Sequence, residues 1–154
     1  MRKRGRTFTR RIDPLAALRS AGRQHPLDAD QKLRLGVHLR VHLQALATGQ
    51  ADAVAFHNLA NGVNVSMVLA ERGTGAEFDE QVGGAQQALR QLKHNGNRGR
   101  WLLDGPNLNA LKDWIDVYEA QLEVVSQQEA MDALDEVQRR LARGQIFEDV
   151  REAA

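Results

Sequence analysis

Helix starts and stops recur along this chain at intervals of about twenty residues, which is helix spacing and too long for strands. Asp13-Pro14 is an N-cap followed by a first-turn proline, opening a short helix that Gly22 ends. Asp28 with Gln31 has capping-box spacing and opens a second segment, closed by Thr48-Gly49. A third runs from about Ala51 to Arg72, with Gly73 after its end. Thr74 with Glu77 offers a capping box for a fourth, which ends near His94-Asn95-Gly96. The polar loop "NGNRGR" follows, and the turn "DGPN" at 104–107 starts a fifth helix reaching about Val125. Ser126 with Glu129 is a further capping box, opening a sixth that Gly144 stops. The expected fold is all-α, a compact antiparallel bundle of five to six helices.

One stretch resists this reading. In "LRLGVHLRVHLQAL", from Leu33 to Leu46, aliphatic and polar residues alternate as on a half-buried strand. Yet it lies between a helix start and a helix stop, and no second strand-like run exists to pair with its backbone. The alternation then describes a helix wrapped in apolar side chains, a central and mostly buried one. The choice matters for His38 and His42. One helical turn apart they are close enough to share a metal; on a strand they are separated by roughly 13 Å.

The boundaries expected are a flexible basic arm over 1–12, a single helical domain over 13–147 and a disordered tail over 148–154. A chain of 154 residues buries roughly 68–70% of its unfolded surface, so neither metal nor disulfide is needed to hold it together. It has no cysteine, which excludes disulfides, zinc thiolates and thiol nucleophiles. No run approaches the ~18–20 apolar residues of a membrane span, and the basic start is followed by no apolar h-region, so a secretory signal is not expected. The N-terminus superficially suits an organellar transit peptide, but such a segment is removed rather than retained. A cytoplasmic protein with no membrane partner is the expectation.

The net charge of +1 hides a gradient. Residues 1–23 hold eight bases against Asp13 alone, residues 24–103 are nearly balanced, and residues 104–154 hold twelve acids against five bases. The molecule is dipolar, and head-to-tail attraction makes a homo-oligomer an expectation as well.

Three stretches carry a resemblance: "MVLAERGTGAEF", "RGRWLLDGPNLNALKDW" and "YEAQLEVVSQQEAMDAL". From about Leu27 to Arg143 the chain resembles a family of short, Arg-headed helical proteins encoded on proteobacterial prophages and other mobile elements. The resemblance implies a helical fold, a bacterial cytoplasm and a mobile-element setting. It rests on caps and core positions and carries over no activity and no functional residue.

Each constellation with chemical potential has a plainer reading. His38, His42 and His57 would make a three-histidine site, but the pair lacks the glutamates that metalloprotease or di-metal helices place beside it. Imidazoles on a crowded helix bond to backbone or to a neighbouring Asn, and no metal or other cofactor is expected. Asn58, Asn61 and Asn64 at three-residue spacing form either a polar seam facing a partner or a solvated stripe with one amide satisfying a neighbouring helix. Gly62, Gly83 and Gly84 suggest close helix approach, each costing about 1 kcal/mol relative to Ala. The pairs Asp132/Glu136 and Glu119/Glu123 lie on regular amphipathic helices beside Arg139 and Arg140, a solvated face rather than an acid–base couple. No phosphate loop, nucleophile elbow or dinucleotide fingerprint is present. No catalytic residue is assigned and no enzyme is expected.

The opening "MRKRGRTFTRR" packs six bases into eleven residues without an acid. It cannot enter a core, because each buried unpaired charge costs several kcal/mol. Arg2, Lys3, Arg4, Arg6, Arg10 and Arg11 suit phosphate oxygens, and Phe8 suits a base or a groove. Arg98 and Arg100 beside Trp101 form a second basic-aromatic element, with Trp101 itself read as core. The function expected is a non-enzymatic nucleic-acid-binding accessory or regulatory protein, for DNA or RNA, of a mobile element. The alternative is a protein-protein interaction module, such as an inhibitor of a host defence complex. That module would act through its acidic C-terminal helices or by gripping an acidic groove with the arm.

Overall fold

The structure, a computed structural model, describes residues 25–144. Among these residues there are five α-helices packed against one another and no strand. They are α1 (Ala29–Ala47), α2 (Ala53–Glu71), α3 (Asp79–Asn97), α4 (Gly105–Val124) and α5 (Gln127–Ala142). The all-α bundle read from the punctuation is therefore correct. The arm over 1–12, the helix expected from Pro14 and the tail over 148–154 lie outside the described residues.

The caps explain why the helices begin where they do. At the start of α1 the Gln31 amide donates to Asp28 Oδ1 at 2.7 Å, and the Asp28 amide donates back to Gln31 Oε1 at 3.0 Å. The same reciprocal pair joins Ser126 and Glu129 at the start of α5, at 3.2 and 2.8 Å. Asp52 and Asp104 cap α2 and α4 by accepting from Ala55 and Asn107. Each cap satisfies a helix-end donor and stabilises by about 1 kcal/mol.

The Thr74/Glu77 box does not form. Gly75 adopts a left-handed φ of 80° and a 3-10 turn over Ala76–Phe78 leads into α3, which starts at Asp79 without a side-chain cap. The left-handed residue turns the chain away before the helix begins, and Thr74 sits too far upstream of the first turn to reach it. Its carbonyl instead accepts from Gln121 Nε2 on α4 at 2.9 Å.

The alternating stretch is helical, as α1, but the central helix is α2. Between Ala53 and Ala70 there is no charged residue, so α2 can be surrounded, and it packs against each of the other four helices. Arg40 holds α1 at the surface: Leu39, Leu43 and Leu46 point inward while Leu33 and Val41 stay 58% exposed. The core gathers Phe56, Leu59 and Val63 of α2, Leu89 and Leu92 of α3, and Leu111, Trp114 and Ile115 of α4. Close approach holds at Gly62, where an added Cβ would lie 2.9 Å from the Trp114 ring and 3.1 Å from Leu39. Gly84 leaves ordinary room to Ala110, and nothing lies within 4 Å of a Cβ at Gly83.

Candidate functional site

The basic-aromatic element sits on the loop between α3 and α4. Past the end of α3, Gly99 takes a φ of 81° and the Arg100 amide donates back to the Asn95 carbonyl at 2.9 Å. This return closes the helix and satisfies one of its last carbonyls. The Asn95 side-chain amide donates to the Leu102 carbonyl at 2.8 Å, fixing the far side of the loop. Trp101 is half-buried, its ring 5.7 Å from Phe56 and pressed so closely onto Gly96 that a Cβ there would clash with it. The Trp101 ring thus anchors the loop against the core, in keeping with its reading as a packing residue.

Arg98 and Arg100 are left exposed on either side of Gly99. Lys32, Arg40, Arg139 and Arg140, by contrast, are engaged in ion pairs. Arg40 meets Glu119 through Nε at 2.7 Å and Asp116 through Nη2 at 2.9 Å, a fork that holds its guanidinium still more firmly protonated than usual. Lys32 reaches Glu123 at 2.7 Å, and Arg140 reaches Glu71 and Glu136 at 2.6 and 2.8 Å. No ion pair engages Arg98 or Arg100 among the described residues. The carboxylates of α4 therefore belong in large part to the bundle, joined across to α1. Glu136, within hydrogen-bond reach of Arg140 and close to Arg139, has its carboxyl held below the usual range.

A second surface lies where α1, α2 and α5 meet. A depression of about 370 Å³ is rimmed by His38, His42, Asn58 and Asn61, and floored by Leu39, Gly62 and Tyr118 among others. The Asn58 Nδ2 donates to His42 Nε2 at 2.8 Å. Partial burial, and then the neighbouring His38, hold the His42 imidazole below its ordinary range against the opposing pull of Asp52. Burial pushes the Tyr118 phenol up to about 12, so it stays protonated at neutral pH. Among the described residues no group of three or more His, Cys, Asp or Glu is placed to hold a metal ion.

The asparagine stripe divides. Asn58 satisfies a neighbouring helix and Asn61 faces solvent, as in the plainer reading. Asn64 departs from both readings: it is 1% exposed, and neither its Oδ1 nor its Nδ2 has a hydrogen-bond partner. Two residues from Gly62 along α2, it lies on the opposite side of that helix. Asn64, Val68 and Glu71 follow one stripe, and the Glu71–Arg140 pair turns that stripe toward α5.

Sequence reasoning missed the polar lock between α2 and α4. Ser66 Oγ donates to Gln121 Oε1 at 2.5 Å, and Gln121 Nε2 donates to the carbonyls of Ser66 and Thr74 at 3.1 and 2.9 Å. The signal was available, because Gln121 occupies the inward register set by Trp114, Tyr118 and Val125. Of the residues predicted to bind nucleic acid, Arg98 and Arg100 are brought together on one loop. Arg2, Lys3, Arg4, Arg6, Phe8, Arg10 and Arg11 lie outside the described residues. No helix among the described residues is long and apolar enough to cross a membrane. Comparison of the chain with protein-family models, with curated proteins and with solved structures gives no match.

Proposed function

We propose that this is a non-enzymatic nucleic-acid-binding accessory or regulatory protein of a mobile element, working in a bacterial cytoplasm through its basic N-terminal arm. The observation that carries the reading is the run of six bases without an acid over residues 2–11. Such a run releases counterions from a phosphate backbone and gives affinity with little choice of base. Arg98 and Arg100, exposed and unpaired among the described residues, support it as a second pair of phosphate ligands on a loop held by Trp101. The mobile-element setting rests on the resemblance of the chain from Leu27 to Arg143.

Deleting residues 2–11 tests the reading. Binding to arbitrary duplex falls steeply, and the slope of log affinity against log salt drops by roughly one unit for each phosphate no longer neutralised. Arg98→Ala with Arg100→Ala in the full chain lowers that slope by about two at most. Duplex binding unchanged by the deletion rejects the assignment. The inhibitor reading carries less weight, because mimicry of nucleic acid needs free carboxylates and Asp116, Glu119 and Glu123 are paired with α1. Charge reversal along 113–136 that abolishes capture of a host protein by the armless chain would restore it.

A further inference from the structure

The helix most lightly held in the bundle is α5. It seats mainly on α2, and its buried side chains are Ala130, Ala133 and Val137. By contrast α4 buries Leu111, Trp114, Ile115, Val117, Tyr118 and Leu122. A furrow of about 250 Å³ runs between α5 and α1, and Met131 beside it is 59% exposed. Beneath α5 lies the stripe of Asn64, whose buried amide is unpartnered. A buried amide without partners favours any state in which water reaches it. Small apolar burial and an unsatisfied polar group together mark an element drawn from the low-stability end of a fold.

We propose that α5 swings off α2 about the Val125–Ser126 junction, and that the uncovered strip takes up α5 of a second copy, giving a helix-swapped dimer. The junction suits this movement: α4 ends at Val124, Val125 is extended at φ −79° and ψ 148°, and the Ser126 cap restarts the helix at once. Rotation at one residue redirects the whole of α5. The occupant is fixed by complementarity. The strip takes a helix with small apolar residues at Ala130, Ala133 and Val137 and a guanidinium opposite Glu71, where Arg140 places Nη1 at 3.1 Å and Nη2 at 2.6 Å. A second copy carries that same helix. The bond from the Gln127 amide to the His25 carbonyl, at 3.0 Å, lies beside the junction and re-forms between copies in the exchange.

The Glu71–Arg140 pair provides a test that separates swapping from any other association. In Arg140→Glu the strip and α5 of one chain both carry acid, and in Glu71→Arg both carry base. Each variant alone opposes its own closure. When the two are mixed, the new carboxylate on α5 of the first variant meets the new guanidinium on the strip of the second. The unaltered Arg140 of the second meets the unaltered Glu71 of the first. Both swapped pairings are then matched. The mixture forms a heterodimer in light scattering at a concentration at least tenfold below that at which either variant self-associates. In the unaltered full chain, amide exchange over α5 runs at least tenfold faster than over α2 and α4 after correction for intrinsic rates. A mixture that stays monomeric overturns the proposal, as does equal protection of α5 and α2.

Discussion

The two sides of α2 solve one problem differently. Toward α4 the helix offers Gly62, which lets the Trp114 ring lie against its backbone, and Ser66, whose hydroxyl is matched by Gln121. Toward α5 it offers Asn64, as fully buried as Ser66 and matched by nothing. A buried polar group that is paired specifies how two helices sit together, whereas one left unpaired loosens the packing around it. The α4 side leaves one buried donor unmatched as well, the Trp114 Nε1. But Leu111, Trp114, Ile115, Val117, Tyr118 and Leu122 bury far more apolar surface than Ala130, Ala133 and Val137. The α2–α4 side is therefore the fixed half of the bundle and the α2–α5 side the yielding half.

Truncating one side chain on each side gives the largest effects. Trp114→Ala removes a fully buried indole that stacks on Tyr118 at 5.6 Å, and it destabilises by about 3–5 kcal/mol in urea unfolding. Val137→Ala, deep between α5 and α2, costs about 1.5 kcal/mol at ~0.8 kcal/mol per methylene. Equal losses would mean that the two sides are seated alike.

Substitution of the two amides sharpens the contrast, because their signs are opposed. Gln121→Leu strands the Ser66 hydroxyl in a dry site and destabilises by about 1–3 kcal/mol. Asn64→Leu keeps the branched four-atom shape of the side chain where no hydrogen bond is lost, and leucine is also the better helix residue. It stabilises by about 1 kcal/mol. A destabilised Asn64→Leu would show that the amide holds a partner that the described residues do not reveal.

The chain's legibility follows the same division between local and long-range causes. Caps lie within three residues of what they cap, so Asp28–Gln31 and Ser126–Glu129 are readable from spacing alone. The Thr74–Glu77 pair has that spacing and fails, because Gly75 between them takes a left-handed conformation and Gln121, 47 residues away in sequence, claims the Thr74 carbonyl. For the same reason spacing misplaces the central helix. The apolar count of α1 points to the middle of the bundle, but Arg40 is drawn outward by carboxylates of α4 that only the fold brings near. Of the candidate site, Arg98, Arg100 and Trp101 are visible as a cluster because they are adjacent. That Gly96 is the floor for Trp101, and that Asn64 alone of three asparagines is buried, depend on which helix lies opposite. Spacing along one helix holds no information about that.

The smallest effect lies at the open mouth between the two sides, where His42 accepts from Asn58. An amide nitrogen only donates, so the Nε2 that faces it must be unprotonated, and protonation breaks the bond. Burial and His38 disfavour the charged ring further, while Asp52 opposes them in part. The folded chain thus takes up this proton at lower pH than the unfolded chain, whose histidine titrates near 6.5. Between the two values the unfolded state binds more protons, and stability rises with pH. The contribution is complete above about pH 6.5 and is lost as pH falls below it. His42→Gln keeps a group able to accept from Asn58 and removes the proton. Its melting temperature, compared with that of the unaltered chain between about pH 7.5 and 5.5, falls less steeply toward acid. Parallel profiles would mean that the bond to Asn58 does not govern the ring's protonation, and the depression at the groove mouth would then be indifferent to the charge of His42.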